Sequence, residues 1–180
     1  MRRMRGQIWI SAILYFALAI IILSLVLAAG VPLVNQLKDR NTVAETKNIL
    51  FTIDEAIQIV VREGPGSQRE LSPLSLTAGQ LFIEEVNDTI RWELETSAQV
   101  MEVNVPIKEG VLDLFLKQTV VKNNYILLVE RKYENSVDID LESQYGSPFS
   151  GRFSMLVTHN GTFSTNAGGI AMPVVRVTVL

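Results

Sequence analysis

Three carboxylates recur at alternate positions, Asp138, Asp140 and Glu142, with Ile139 and Leu141 between them. On a strand they project from one face, and Ca²⁺ takes about 6–8 oxygens of this kind. No encircling loop with its glycine accompanies them, so the spacing reads as a solvated strand face. Glu84 and Glu85 are adjacent, which puts them on opposite faces of a strand and rules out a glycosidase-like couple. His159 is the one histidine. Beside Asn160-Gly161 it is expected in an exposed turn, and without cysteine it cannot complete the usual structural zinc set. No Gly-x-Ser-x-Gly serine is there for it to activate. Gly64-Pro65-Gly66-Ser67 lacks the Lys-Ser/Thr ending of a phosphate loop. These patterns point away from an enzyme, and neither a cofactor nor a metal is expected.

Two Asn-x-Thr triplets, Asn87-Asp88-Thr89 and Asn160-Gly161-Thr162, have the form of glycan acceptors at turn-like pairs. The chain has no cysteine, which excludes disulfides, thiolate metal sites and a cysteine nucleophile. Setting aside Arg2, Arg3 and Arg5 leaves thirteen basic residues against nineteen acidic, a balance of −6. An acidic domain without a Lys/Arg cluster is not expected to bind nucleic acid, which is held mainly through its phosphates.

The elements that carry these residues begin with an uncharged run. No charged side chain lies between Arg5 and Lys38, and a bilayer core needs only about 20 apolar residues of helix. Gln7 to Val34 is apolar all round, including Ile8, Ile10, Ile13, Leu14, Ile21 and Leu25, so membrane lipid is its expected surrounding. The arginines before it predict a cytoplasmic N-terminus with the rest outside. Gly30 and Pro32 mark a place where the helix is expected to kink or loosen. Beyond them, Leu50, Ile53, Ile57 and Val60 at 3-4-3 spacing predict an amphipathic helix with one narrow seam, which either rests on the chain's own sheet, the favoured reading, or forms a coiled coil between subunits. Gly64-Pro65-Gly66 stops the helix. A continuous helix from Gln7 to about Glu63 would measure roughly 85 Å at 1.5 Å per residue, more than one bilayer accommodates.

After Ser72-Pro73 the period becomes two. Residues 80–85 and 89–95 flank Val86-Asn87-Asp88 as a hairpin. Further strands are expected over 100–107, 111–121, 125–133, 137–141, 153–158 and 174–180, with turns at Lys108-Glu109-Gly110, Asn123-Asn124, Tyr145-Gly146-Ser147-Pro148 and Asn160-Gly161. The fold class is therefore α+β: a long N-terminal hydrophobic helix, then a mostly antiparallel β-sandwich or open-barrel head. The divisions are a leader over 1–6, an apolar helix over 7–34, an amphipathic extension over 35–63, a Gly/Pro linker over 64–73 and a β-rich head over 74–180.

A basic-Gly-Gln start, an uncharged helix, an amphipathic extension and a β head together resemble the archaeal type IV pilin and archaellin superfamily, whose precursors carry a class III signal peptide. The resemblance implies that a prepilin-type peptidase cuts between Gly6 and Gln7, with Arg5 before the bond. It also implies that an assembly platform builds the helices into a homo-oligomeric extracellular filament used for adhesion or motility. Met4 stands where many such leaders have a second basic residue. Ser11 stands at the fifth mature position, where many type IV pilins have Glu, so packing and desolvation rather than that salt bridge would drive assembly. The alternative is an uncleaved single-pass anchor whose external β domain binds a partner or serves as a minor pilin. A secretory signal cut near Ala28-Ala29 fits poorly, because the apolar run exceeds the roughly 7–15 residues of such a segment.

Overall fold

A computed structural model describes residues 4–121, 124–144, 146–166 and 168–180. Asn123 and Tyr145, from two of the expected turns, lie outside these. The chain divides into two compact units, Met1–Lys38 and Asp39–Leu180, in the α+β class read from the sequence. One helix, α1 (Met4–Glu63), precedes eight strands: β1 (Gln68–Glu84), β2 (Thr89–Thr96), β3 (Ile107–Glu109), β4 (Leu112–Gln118), β5 (Tyr125–Lys132), β6 (Asp138–Ser143), β7 (Phe149–Thr165) and β8 (Ala171–Val179). They form a single open sheet in the order β3-β4-β5-β2-β1-β7-β8-β6. Its pairs are antiparallel except β6 with β8.

In the first unit the helical backbone runs on through Gly30 and Pro32, where a loosening was expected. In the second, the helical seam lies in the core. Leu50, Ile53, Ile57 and Val60 are each at most 2% exposed, among Leu81, Ile90, Trp92, Leu116, Leu127, Val129 and Val177 of the sheet. Burying such a side chain is worth roughly 1.5–3 kcal/mol. Buried Thr42 and Thr46 continue the seam toward the N-terminal side at four-residue spacing. Polar contacts flank it: Thr77 of β1 donates to Glu45 at 3.0 Å, Lys47 pairs with Glu109 of β3 at 2.8 Å, and Arg131 of β5 pairs with Asp54 at 2.7 Å. Gly79 has φ +79°, and a Cβ there would lie 2.4 Å from the Glu93 carbonyl and 2.5 Å from Trp92 Nε1. Only glycine fits, and the indole then donates to the Ala78 carbonyl at 3.1 Å.

Three expectations need correction. The linker read over 64–73 is confined to the turn at its start: Gly64 and Gly66 adopt φ of +87° and +86°, and β1 begins at Gln68. The β1–β7 ladder absorbs Pro73, which has no N–H, through a register shift between Leu71 and Leu74. The stretch over 100–107 is not a strand for most of its length. Asn104 turns at φ +61°, Pro106 lacks a donor, and only Val103 bridges Leu116 before β3 starts at Ile107. Finally, Asn160-Gly161 is a bulge within β7, visible as a register shift between His159 and Phe163, and not a turn.

The β6 edge is closed by side chains of the β1–β2 turn. Ile139 N donates to Asp88 Oδ1 at 2.9 Å and Leu141 N to Glu85 Oε1 at 2.7 Å, so two donors of an edge strand are already satisfied. Burial, with Asp138 and Glu134 adding to it, raises the Asp88 carboxyl above its ordinary value against the opposing Ile139 N–H. The folded state thus holds that proton more tightly than the unfolded chain, and the stability this provides is lost as pH rises through the folded value. Asp88→Asn keeps the acceptor, tolerates the φ of +46° and removes the charge. Thermal melts of the full chain in detergent should show the variant melting at or above wild type at pH 7, with the difference closing as pH falls toward about 4. A variant markedly less stable at pH 7 would show that the charge itself is needed.

Candidate assembly surface and processing site

The surface that most needs a partner is the apolar half of α1. Ile13 and Leu14 are each 66% exposed, Ile21 57% and Leu25 65%, and Trp9, Tyr15, Phe16 and Val34 are exposed too. Exposure falls on every side, as the absence of a periodic seam between Gln7 and Val34 requires. Ser24, one of the polar groups in the run, turns its hydroxyl back to the Ile20 carbonyl at 2.8 Å, which leaves the surface apolar in character. The helix is long and apolar enough to cross a membrane. At Arg5-Gly6-Gln7 the backbone is helical from Met4, while the side chains of Arg5, Gly6, Gln7, Ile8 and Ile10 lie outside the described residues.

The remaining sequence candidates fall into separate places. Asn87 is exposed in the β1–β2 turn, where its Nδ2 donates to Glu84 at 3.2 Å. Asn160 is exposed on the β7 bulge, where its Oδ1 accepts from the backbone N and hydroxyl of Thr162 at 3.0 and 2.6 Å. Both asparagines are exposed and so open to modification. Asp140 and Glu142 do share a strand face, and the parallel register sets Arg176 of β8 opposite Asp140. Arg176 Nε meets Asp140 at 2.8 Å, and its Nη1 lies 4.0 Å from Glu142. The carboxylate row is thus matched to a cation of the neighbouring strand. Among the described residues no group of three or more His, Asp or Glu is placed to hold a metal ion.

His159 departs from its expected exposed turn. It sits within β7 at 2% exposure, its Nδ1 accepts from Gly161 N at 3.1 Å, and its ring meets Phe163 edge-on at 5.8 Å. Its backbone holds the turn after α1: Gly66 N donates to the His159 carbonyl at 2.9 Å, and His159 N to Ser67 O at 3.0 Å. The strand continues through Asn160-Gly161 because β8 still offers partners beyond the bulge, a non-local cause that residue types at the site do not reveal.

Sequence reasoning missed two features. Asp54 lies among charged residues of the amphipathic helix and nothing local marks it as buried, yet it is 9% exposed and lies against Arg131, whose guanidinium also covers the Tyr133 ring at 4.6 Å. Burial and the Asp54 carboxylate push the Tyr133 phenol well above its usual range, and its hydroxyl finds no hydrogen-bond partner among the described residues. The second feature is a cleft of about 300 Å³ between α1 and the β3–β4–β5 side of the sheet, lined by Arg40, Val43 and Ala44 with Val100, Met101 and Ile107. The irregular segment that replaces the expected strand over 100–107 forms one wall.

No protein-family model, curated protein or solved structure matches the chain. An aspartate at the centre of the apolar run tests what that surface requires. Ile21→Asp adds roughly 2.5–3.5 kcal/mol to membrane insertion, so alkaline extraction of membranes should release the variant while wild type stays in the pellet. Retention of both would show that lipid burial of this stretch is not needed.

Proposed function

We propose that this chain is a pilin-like structural subunit: inserted in the cell membrane as a precursor, cut after Gly6, and assembled through its N-terminal helix into an extracellular filament. The observation that carries the reading is the division of labour along α1. Its amphipathic part has spent its apolar seam on its own sheet, from Leu50 to Val60, whereas the stretch around Ile13, Ile21 and Leu25 is exposed on all sides. A surface of that kind suits lipid before assembly and sister helices afterwards, where close packing of apolar side chains replaces lipid contacts. Peptidase and assembly platform follow from the resemblance in the first residues.

The same helix suits an uncleaved single-pass anchor whose head binds a partner, and the cleft beside Arg40 favours keeping that second reading. One bond separates the two. N-terminal sequencing and intact mass of protein from cell envelopes and sheared material should give a chain that starts at Gln7, and Gly6→Val should leave the precursor whole and the shed fraction empty. A chain that retains Met1 in wild-type material contradicts the filament reading and leaves the anchor.

A further inference from the structure

Two surfaces of unlike character sit at opposite ends of β2. At its Thr89 end the β1–β2 turn presents Val86 at 95% exposure, a fully offered branched side chain. Glu85 and Asp88 flank it, and Asp138 and Glu134 lie close enough to raise the proton affinity of Asp88. The knob is therefore apolar with an acidic collar. At the other end Thr96 donates to Asp39, next to Arg40, and Arg40 stands on the rim of the cleft described above. The cleft is walled by Val43, Ala44, Val100, Met101 and Ile107. Its volume of about 300 Å³ is some ten times the roughly 30 Å³ share of a liquid water, ample for one branched side chain. Lys47, also on the wall, is neutralised by Glu109 at 2.8 Å, whereas Arg40 makes no ion pair among the described residues. The two ends are separated by the eight residues of β2, roughly 23 Å at 3.3 Å per residue, so one head cannot satisfy its own cleft with its own knob.

We propose that the Val86 turn of one copy seats in the Arg40 cleft of the next, with Val86 among the apolar wall residues and the acidic collar facing Arg40. The occupant is a second copy of this chain, chosen by charge complementarity and by the apolar match. Glu85 and Asp88 keep their bonds to β6, since an ionised carboxylate has about four acceptor positions. Unlike surfaces at opposite ends make a heterologous contact, which gives a ring where the rotation closes and an open filament where it does not; the filament reading selects the second. The inference rests on the filament reading and adds a head-to-head contact to the helix packing. It also requires Asn87, inside the knob, to carry no glycan.

The absence of cysteine makes the test direct. Val86→Cys and Ala44→Cys, both exposed sites, are combined in the full chain in cells and oxidised with copper-phenanthroline. The double variant should give a reducible ladder of dimers, trimers and longer species, each single variant should give none, and adding Arg40→Glu should weaken the ladder several-fold. Filaments without a ladder overturn the contact and leave the filament reading standing. Protein that stays in the membrane with neither ladder nor filaments overturns both. A ladder confined to membrane-retained protein supports the contact and contradicts the filament. Dimers from Val86→Cys alone would indicate like-to-like packing and overturn the proposal, as would a glycan found on Asn87 by mass.

Discussion

Packing of the helical seam against the sheet is the interaction on which the head depends. Leu50, Ile53, Ile57 and Val60 contribute roughly 1.5–3 kcal/mol apiece by burial, and with no disulfide available nothing covalent replaces them. The polar contacts beside the seam have another role. Lys47 with Glu109 is partly exposed, and such pairs are worth only about 0–1 kcal/mol. Asp54 with Arg131 is better shielded, yet desolvation offsets most of what a shielded pair gains. Apolar burial therefore holds the helix on the sheet, while the ion pairs, reaching β3 on one side and β5 nearer the centre, fix how far along the sheet it sits.

The same energetics applied to the apolar half of α1 leave it unsatisfied. Exposed Ile13, Leu14, Ile21 and Leu25 each forgo what the seam residues gain, and they do so on every side, so no single docking surface of a soluble partner could cover them. Lipid or a bundle of identical helices can. The two parts of α1 thus differ in what completes them: the seam from Leu50 to Val60 is covered by intramolecular packing, and the stretch around Ile13, Ile21 and Leu25 is left exposed.

Much of this was legible from local pattern. The seam, the helix end at Gly64-Pro65-Gly66 and the hairpin around Asn87-Asp88 each announce themselves within a few residues, because helix periodicity and turn chemistry are local. What escaped was set by distant partners. Asn160-Gly161 has the composition of a turn, but β8 pairs on both sides of it and the chain bulges instead. Asp54 resembles its solvated neighbours on α1 until Arg131 arrives from 77 residues away. The stretch over 100–107 has strand composition, yet Asn104 and Pro106 break it, and its irregular path creates the cleft. The β6 edge looked like a bare carboxylate row, while its free donors were met by Glu85 and Asp88 from across the sheet.

The proposal that one apolar surface serves two environments is tested most directly by a polarity-sensitive fluorophore on Leu25→Cys in the otherwise cysteine-free chain. Membrane and sheared fractions are compared with and without a lipid-borne quencher. Emission should be blue-shifted in both fractions, with quenching only in the membrane fraction. Water-like emission at Leu25 in the sheared material, or label found only in a lipid-quenched pool, would contradict a helix that leaves the bilayer to pack against copies of itself.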